Sequence, residues 1–397
     1  MKTGVPVLIA ALSGRGLCAS ARRAGYLPYV ADAFSDRDTR AMAAQALRIA
    51  DAMRLGIRAK PLFHTLDALI DAAPKPAAGA PPIGLLLGSG FEDRPKLVAA
   101  LAQRYRMLGN SADAIRACND PVALTALLDA RGIPHPETRK LPPENLDGWL
   151  AKRIGGSGGT HISPKPTRAP APRRYYQQRL NGEAVSTLAL AANGAARIVG
   201  FSRQWFAGTG PRPFRYGGAV GPVDLAPAAQ DAMAFATHEV CNALQLSGLV
   251  SFDFLLCGAV PYLLEVNPRP GATLDVFDDE HGTLFHAHMA ACSGENLAGI
   301  ALPALERAKA SAILYADRDR LTIPRAFQWP QWAADIPDPA SRIPRYRPIA
   351  TVYADASTTD EALQRCRERL EELGSMLYAQ AQNRERTTDA DIQRPRP

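Results

Sequence analysis

The segment Gly248–Asp275, GLVSFDFLLCGAVPYLLEVNPRPGATLD, holds the residues best suited to chemistry. Asp253 and Glu265 fall on successive arms of an apparent hairpin that turns at Gly258-Ala259. Asn267 follows Glu265 by two, so on a strand both side chains share one face. Two carboxylates and an amide oxygen are hard oxygen ligands of the kind magnesium takes beside substrate phosphates. Arg269, two residues on, adds a planar cation for anionic oxygens. Phe252, Phe254, Leu263, Leu264 and Val266 mark the hairpin as core, where a polar set is costly unless something compensates it. A surface hairpin with solvated polar residues is the plainer alternative. A second signal is Lys152, followed after Arg153 and Ile154 by Gly155-Gly156-Ser157-Gly158-Gly159-Thr160. A lysine at a strand end ahead of a glycine loop can clamp phosphate with backbone N–H groups and one point charge. The lysine precedes the glycines, so this is not a P-loop, and a flexible linker reads equally well. A third is Tyr175-Tyr176-Gln177-Gln178-Arg179-Leu180-Asn181-Gly182-Glu183, a strand leading to a glycine turn and an acid. It could offer backbone groups to a base and a carboxylate to a ribose, and alone it decides nothing.

The elements that would position these residues follow from periodicity and turn chemistry. Strands at Val5–Leu12, Tyr26–Phe34 and Ile83–Leu87, with a helix at Leu17–Ala24, imply a parallel sheet with crossover helices. The Pro/Ala-rich stretch Ala72–Pro82 reads as a surface loop. Short helices follow at Ser111–Ala117 and Pro121–Ala130, the second capped by Asp120 with proline in its first turn. Trp149–Ile154, the glycine run, a Pro-rich loop over 164–172, Tyr175–Leu180 and Val185–Ala191 suggest a small α+β lid. A long helix at Ala228–Leu246, the hairpin Gly248–Cys257 and Val260–Val266, and a helix at His281–Ser293 come next. Strands at Ser311–Ala316 and Ile349–Ala354 with a helix at Thr359–Leu373 read as a C-terminal appendage. The final residues, ending QRPRP, read as a disordered tail.

Composition sets the outer bounds. At 397 residues the chain accommodates two to three domains. A 47% hydrophobic and 21% charged make-up is an ordinary globular mix and excludes a largely disordered chain, a collagen or a coiled coil. Lys and Arg number 46 against 39 Asp and Glu, a net charge of +7, which suits anionic partners without choosing among them. The six cysteines are scattered with no C-x-x-C pair. Reduced thiols in a cytoplasmic protein are the simplest reading. The apolar run near the start is too short to span a membrane and reads better as a buried strand than as a signal peptide.

Five weaker patterns compete. Gly14-Arg15-Gly16-Leu17-Cys18-Ala19 after a strand, with Asp32 near the end of the next, fits a dinucleotide fingerprint; a glycine turn that packs helix on strand gives the same letters. Gly88-Ser89-Gly90-Phe91-Glu92 ends another strand and could face the same cleft. His281, His286 and His288 suggest a metal cluster, but only positions 281 and 288 share a helical face, so helix-surface histidines are the simpler reading. Arg203–Arg215, RQWFAGTGPRPFR, mixes cations with aromatics as single-strand binders do, although a lid loop over phosphates explains it as well. No long basic stripe supports nucleic-acid binding. Cys257, near the hairpin turn, reads as a packed thiol.

In order and spacing, the glycine-loop lysine, the strand-to-acid hinge and the D…E-x-N-x-R pattern together resemble the ATP-grasp family over roughly residues 110–300. Among its members the chain is most similar to predicted ATP-dependent carboligases related to biotin carboxylase. The resemblance implies an α/β and α+β architecture: a Rossmann-like pre-ATP-grasp domain at 1–110, connecting helices at 111–146 and a lid subdomain at 147–224. A C-subdomain with a biotin-carboxylase-like β/α appendage follows at 225–380, and a disordered tail at 381–397. It implies that Lys152 holds the α/β-phosphates under the loop Gly156-Ser157-Gly158-Gly159. Gln177, Gln178, Arg179 and Leu180 would hold adenine and Glu183 the ribose. Asp253, Glu265 and Asn267 would bind one or two magnesium ions, and Arg269 would stabilise an acyl phosphate. Ser13, Gly14, Arg15, Gly16, Arg203, Arg215 and Arg269 would face the second substrate. The implied activity is ATP- and magnesium-dependent carboxylate–amine ligation releasing ADP and phosphate, joining an amino acid to a small acceptor. Some similar proteins sit with biosynthesis of one-carbon cofactors of the methanopterin and methanofuran type. The implied protein is cytoplasmic, binds neither nucleic acid nor membrane, and forms a homodimer, as is common in the family.

The chain departs from the family pattern at several positions. The run Cys118-Asn119-Asp120-Pro121-Val122 lacks the usual early lysine; Arg116 or an arginine of the 203–215 region would have to replace it. Gln178 stands where the hinge acid is usual. Ser251 occupies the place of a substrate-binding arginine in D-alanine ligases, and no biotin-attachment segment is visible. Three rivals remain at this level: a bicarbonate-using carboligase, a nucleotide-binding regulator without turnover, and an NAD-dependent oxidoreductase built on the first sheet.

Overall fold

The computed structural model describes residues 4–75, 82–169, 171–210 and 212–392, with side chains described as far as residue 381. The first sheet has five parallel strands: β1 (Pro6–Ala11), β2 (Leu27–Asp32), β3 (Gln45–Arg48), β4 (Gly84–Leu87) and β5 (Arg106–Met107), in the order β3-β2-β1-β4-β5. β1 is an unbroken apolar run because both its faces are covered. Val7 and Ile9 pack with Leu17 and Cys18 of the helix Arg15–Arg23. Leu8 and Ala10 pack with Leu62 and Leu66 of the helix Ala59–Ala72 and Val98 of the helix Pro95–Ala102. The chain order reverses between β1 and β4, which opens a crevice at the carboxyl ends of those strands. The expected surface loop at 72–82 has its centre, residues 76–81, outside the described residues.

A three-stranded antiparallel sheet follows, made of β6 (Thr138–Arg139), β7 (Trp149–Arg153) and β8 (Arg174–Gln178) in the order β6-β8-β7. The largest sheet is antiparallel and eight-stranded. It comprises β9 (Glu183–Ala192), β10 (Ala195–Phe206), β11 (Tyr216–Gly221), β12 (Gly248–Cys257), β13 (Val260–Asn267), β14 (Ala308–Tyr315), β16 (Ala333–Ala334) and β18 (Pro348–Ala356). A separate pair, β15 (Leu321–Thr322) and β17 (Arg342–Ile343), lies beside it. The order is β13-β12-β9-β10-β11-β14-β18-β16. Alternate residues of β9 serve opposite cores. Leu188 and Leu190 join the core that continues to the first sheet, while Ala189 and Ala191 pack with Met233 and Val240 of the helix Pro227–Leu244.

Four differences from the expected layout matter. The small lid sheet ends at Gln178, and β9–β11, assigned to the lid at 147–224, belong to the large sheet. The C-terminal strands are not a detached appendage, because β14 pairs with β11 and carries the same sheet onward. The last helix, Thr359–Ile392, runs past the expected end; 381–392 is helical backbone rather than tail, and 393–397 lie outside the described residues. The helix Thr283–Cys292 starts late, leaving His281 in the preceding turn.

Candidate active site

β12 and β13 place Asp253 directly across from Glu265, and Ser251 across from Asn267. The register then shifts: Phe254 faces Leu263, so Leu264 is a bulge residue. Without that extra residue Leu263 and Glu265 would share a face, by the two-residue period. With it, Leu263 and Val266 both reach the helix-side core while Glu265 and Asn267 face the cleft between the large sheet and the lid. Asp253 Oδ1 accepts from Gln204 Nε2 (2.9 Å) and Oδ2 from Asn267 Nδ2 (2.9 Å). Burial, and then Glu265 across the ladder, push the Asp253 carboxyl well above the usual carboxylate range. Lys152, on β7, is 4% exposed. Burial lowers its ammonium pKa, while Glu265 and Asp253 oppose the shift. Among the described residues no three His, Cys, Asp or Glu side chains cluster as a metal site. The donor set is two facing carboxylates plus the Asn267 amide oxygen, and it fits a hard cation that keeps phosphate oxygens as further ligands.

Arg269 joins this set to the first sheet. Its Nε donates to Glu92 Oε1 (2.5 Å) and one terminal nitrogen to Asn267 Oδ1 (3.2 Å). Glu92 Oε2 accepts the Gly90 N–H at 2.7 Å. Burial would raise the Glu92 carboxyl, but the Arg269 guanidinium holds it below its ordinary range. The 88–92 loop therefore faces the cleft. That cleft opens to solvent and is lined by Glu92, Asn119, His161, Gln177, Glu265 and Asn267 among others.

The glycine run is wedged rather than loose. A Cβ on Gly159, at φ +70°, would lie 1.7 Å from the Phe214 carbonyl oxygen. One on Gly155, at φ +67°, would lie 2.6 Å from the Asp93 Cα. The Tyr216 N–H donates to the Gly158 carbonyl at 3.0 Å. The loop thus fills the space between the first sheet's loops and the turn ahead of β11. His161, which no spacing argument singled out, lies against Gly156 with its Nδ1 buried and unpartnered. Burial, then Lys152, lower its pKa to about 4.

Other expected residues are committed elsewhere. In the hinge, Gln178 N–H donates to the Glu137 carbonyl (2.8 Å) and Arg179 N–H to that of Gly148 (2.7 Å). Those two N–H groups are therefore closed to a base. Gln177 is buried, with its side chain on Thr138 (3.3 Å), and Leu180 follows the end of β8. Glu183 opens β9 and is ion-paired with Arg203. Arg203 lies within β10, not in a loop, and also approaches Asp360 at 3.7 Å. Arg215 is 1% exposed, bidentate to Asp317 (2.9 and 2.7 Å) and stacked on Tyr315 at 3.6 Å. It fastens its own loop and offers no donor pair to a substrate.

The 13–16 turn behaves likewise. Gly14 N–H and Ser35 N–H donate to the two oxygens of fully buried Asp32 (2.9 and 2.6 Å), so that acid cannot receive a ribose as a dinucleotide fingerprint requires. Arg15 is bidentate to Asp275 (2.9 and 2.5 Å) and reaches Asp335. Tyr353 Oη also donates to Asp275, at 2.9 Å. Ser13 Oγ donates to Asp335 (3.3 Å), and Gly16 faces Asp275.

The histidines form no cluster. His288 is 2% exposed, not a surface residue; its Nδ1 accepts the Leu249 N–H (2.9 Å) and its Nε2 lies 3.2 Å from the Leu108 carbonyl. In the run lacking the early lysine, Asp120 caps the helix Pro121–Ala130 and Pro121 lines the cleft. Arg116 turns to Asp113 (2.9 Å) on the exposed side, whereas Arg153 lines the cleft beside Lys152.

The family model for an ATP-grasp domain matches residues 118–273. No curated protein matches the chain by sequence. Among solved structures, N5-carboxyaminoimidazole synthetase from Staphylococcus aureus complexed with ADP is similar at TM-score 0.64 and 13% identity, covering 93% of this chain and 98% of that one. L-amino acid ligase from Bacillus licheniformis is similar at TM-score 0.65 and 14% identity, over 94% and 98%. The biotin carboxylase domain of Hydrogenobacter thermophilus 2-oxoglutarate carboxylase, with ADP, magnesium and bicarbonate, is similar at TM-score 0.66 and 12% identity, over 92% and 89%.

Proposed function

We propose that this chain, an ATP-grasp protein by its matched domain and its fold, is an ADP-forming carboxylate–amine ligase that joins an amino acid to a small acceptor. The observation that carries this reading is the face-to-face pair Asp253 and Glu265, with Asn267 beside them and the Lys152 ammonium in the same buried cleft. Asp253, Glu265 and Asn267 would hold magnesium, which when bound would supply charge neutralisation at the transferring phosphoryl group. Lys152 gives a fixed cation to the phosphates, and the wedged Gly156–Gly159 loop excludes water above them. Arg153 lines the same cleft as Asn119 and Pro121 of the run that lacks the early lysine. The Leu180 end of the hinge receives the base and Glu183 the ribose, once Arg203 shares it. Arg269 orients the carboxylate that attacks the γ-phosphate, and the resulting acyl phosphate is then taken by an amine.

The likeness to an amino acid ligase and to an N5-carboxyaminoimidazole synthetase, each along nearly the whole chain, supports ligation. We extend the reading to a cytoplasmic protein acting on one-carbon cofactor precursors of the methanopterin or methanofuran type, and to a homodimer. The six free cysteines agree with the first. No described helix is long and apolar enough to cross a membrane.

The test is magnesium-dependent ATP turnover, with ADP and AMP followed separately, against amino acids, small carboxylates, bicarbonate and pterin- or furan-type acceptors. ADP released only with an amino acid and acceptor is the expected result, and AMP as product would overturn it. A second reading rests on the absence of a lysine from the run Cys118-Asn119-Asp120-Pro121-Val122: a nucleotide-binding regulator, which would bind ATP and turn over with no member of the panel.

A further inference from the structure

Beside Arg269 and Glu92 lies a second pocket, partly open to solvent. Its walls are apolar: Leu87 from β4, Phe91, Met107 from β5, Leu108, Ile115 and Pro270. Four polar side chains touch it, and two of them are turned to other work. Asn110 donates to the Ser247 and Pro268 carbonyls (3.0 Å each) and accepts the Ser247 N–H (2.8 Å). His288 is held between Leu249 and Leu108. The other two are Glu92 and Arg269, one anion and one cation joined at 2.5 Å at the cavity's edge. Each keeps capacity. Glu92 has lone pairs beyond the single bond accepted at each oxygen, and the terminal nitrogens of Arg269 carry further N–H groups.

We propose that this cavity is the subsite for the amino acid donor and that it takes an α-amino acid with an apolar side chain. The inference rests on the ligase reading above and adds the substrate class. A zwitterion set across the Glu92–Arg269 pair places its carboxylate on Arg269 and its ammonium on Glu92, so both buried charges stay compensated. The carboxylate then lies next to Asn267, on the metal side, where phosphorylation requires it. The side chain enters the space between Leu87, Met107 and Ile115. A charged side chain there would meet no partner and lose its hydration. Glu92 stays anionic beside Arg269, so it keeps the donor's own amine protonated and unable to attack. The nucleophile must then come from the second substrate, which disfavours condensation of the donor with itself.

Binding is measured by calorimetry on the full chain with magnesium and a non-hydrolysable ATP analogue. The probes are L-leucine, L-methionine, L-glutamate, L-lysine, 4-methylpentanoate and 3-methylbutylamine. L-leucine or L-methionine should bind at least about tenfold more tightly than any other probe, since forgoing one charge-assisted hydrogen bond weakens binding by about a factor of ten or more. Glutamate or lysine binding as well as leucine, or 4-methylpentanoate matching it, would overturn the assignment. Failure of the nucleotide analogue to bind would remove the ligase reading itself; nucleotide binding with no amino acid bound removes only the subsite. Glu92→Gln should narrow the gap between leucine and 4-methylpentanoate, and an unchanged gap counts against the ammonium contact. Should that variant fail to fold, Met107→Trp fills the cavity from β5 and should weaken leucine binding at least about tenfold; undiminished leucine binding would again refute the subsite.

Discussion

Two buried polar regions of this molecule look alike in composition and differ in their electrostatics. Around the 13–16 turn Arg15, Asp32 and Asp275 have each found a complement. Arg15 is met by Asp275 and Asp335, Asp32 by two backbone N–H groups, and Asp275 additionally by Tyr353. In the cleft between the large sheet and the lid, complementation is unfinished. Asp253 and Glu265 face each other, Lys152 is buried with no ion pair among the described residues, and His161 has an unpartnered nitrogen. Burial of charge therefore does not distinguish a binding site from a clasp. The discriminating feature is the potential left over after neighbouring groups are satisfied, because that is what a ligand can neutralise.

Substitutions at the clasp should break the fold and spare nucleotide recognition. Arg15→Leu strands Asp275 in a buried position, and losing one partner of such a pair costs about 3–5 kcal/mol. Denaturant unfolding should show that loss, while the nucleotide affinity of the surviving folded fraction stays at the wild-type value. A stable Arg15→Leu protein that had lost only substrate affinity would reverse the assignment and return Arg15 to the site.

In the cleft the pattern inverts. Asp253→Asn or Glu265→Gln should lower magnesium-dependent turnover by about a hundredfold or more, as removal of a metal ligand at the transferring group implies. The melting temperature of Glu265→Gln should hold or rise, because a like-charge contact is relieved; in Asp253→Asn the new amide nitrogen faces the Gln204 or Asn267 donor, which offsets that gain. A lowered melting temperature with retained turnover would make the pair structural. Lys152→Ala should weaken ATP about tenfold or more, because a charge-assisted hydrogen bond to phosphate is removed; equilibrium binding of a fluorescent ATP analogue reads it.

Much of this contrast was legible in the chain, and the remainder has physical reasons. The hairpin was readable because period-2 spacing places Glu265 and Asn267 together, and the glycine run because β7 ends just before it. The bulge at Leu264 was not, since nothing in L-L-E-V-N marks which residue drops out of register. β10 and β11 fall in the lid that the resemblance implies at 147–224, and Arg203–Arg215 reads as a loop of it. In fact Gly217 and Gly218 lie in a strand where Trp205 presses on them, at 2.6 and 2.3 Å from any added Cβ. Arg15 and Arg215 read as substrate contacts because a sequence shows a cation but not its partner, and Asp275 lies 260 residues away from Arg15. His161 carried no signal, since a single histidine after a glycine run matches no ligand spacing.

A further effect comes from His161 and separates the two regions by pH. Its folded pKa, about 4, lies below its ordinary 6.5, so between those values the unfolded chain binds the proton that the folded chain refuses. Its contribution is complete above about pH 6.5 and is lost as pH falls toward 4, at up to about 1.4 kcal/mol per pH unit. His161→Asn should remove that slope, so the variant loses less stability than the wild type between pH 7 and pH 4.5. The Asp253 carboxyl, shifted upward, acts in the opposite sense and is common to both proteins, so it cancels from the difference. Repeating the titration with ATP bound sharpens the test. Phosphate beside Lys152 replaces a repelling cation with an anion, and the His161-dependent slope should shrink if the nucleotide occupies this cleft. An identical slope with and without ATP would place the triphosphate away from His161 and Lys152.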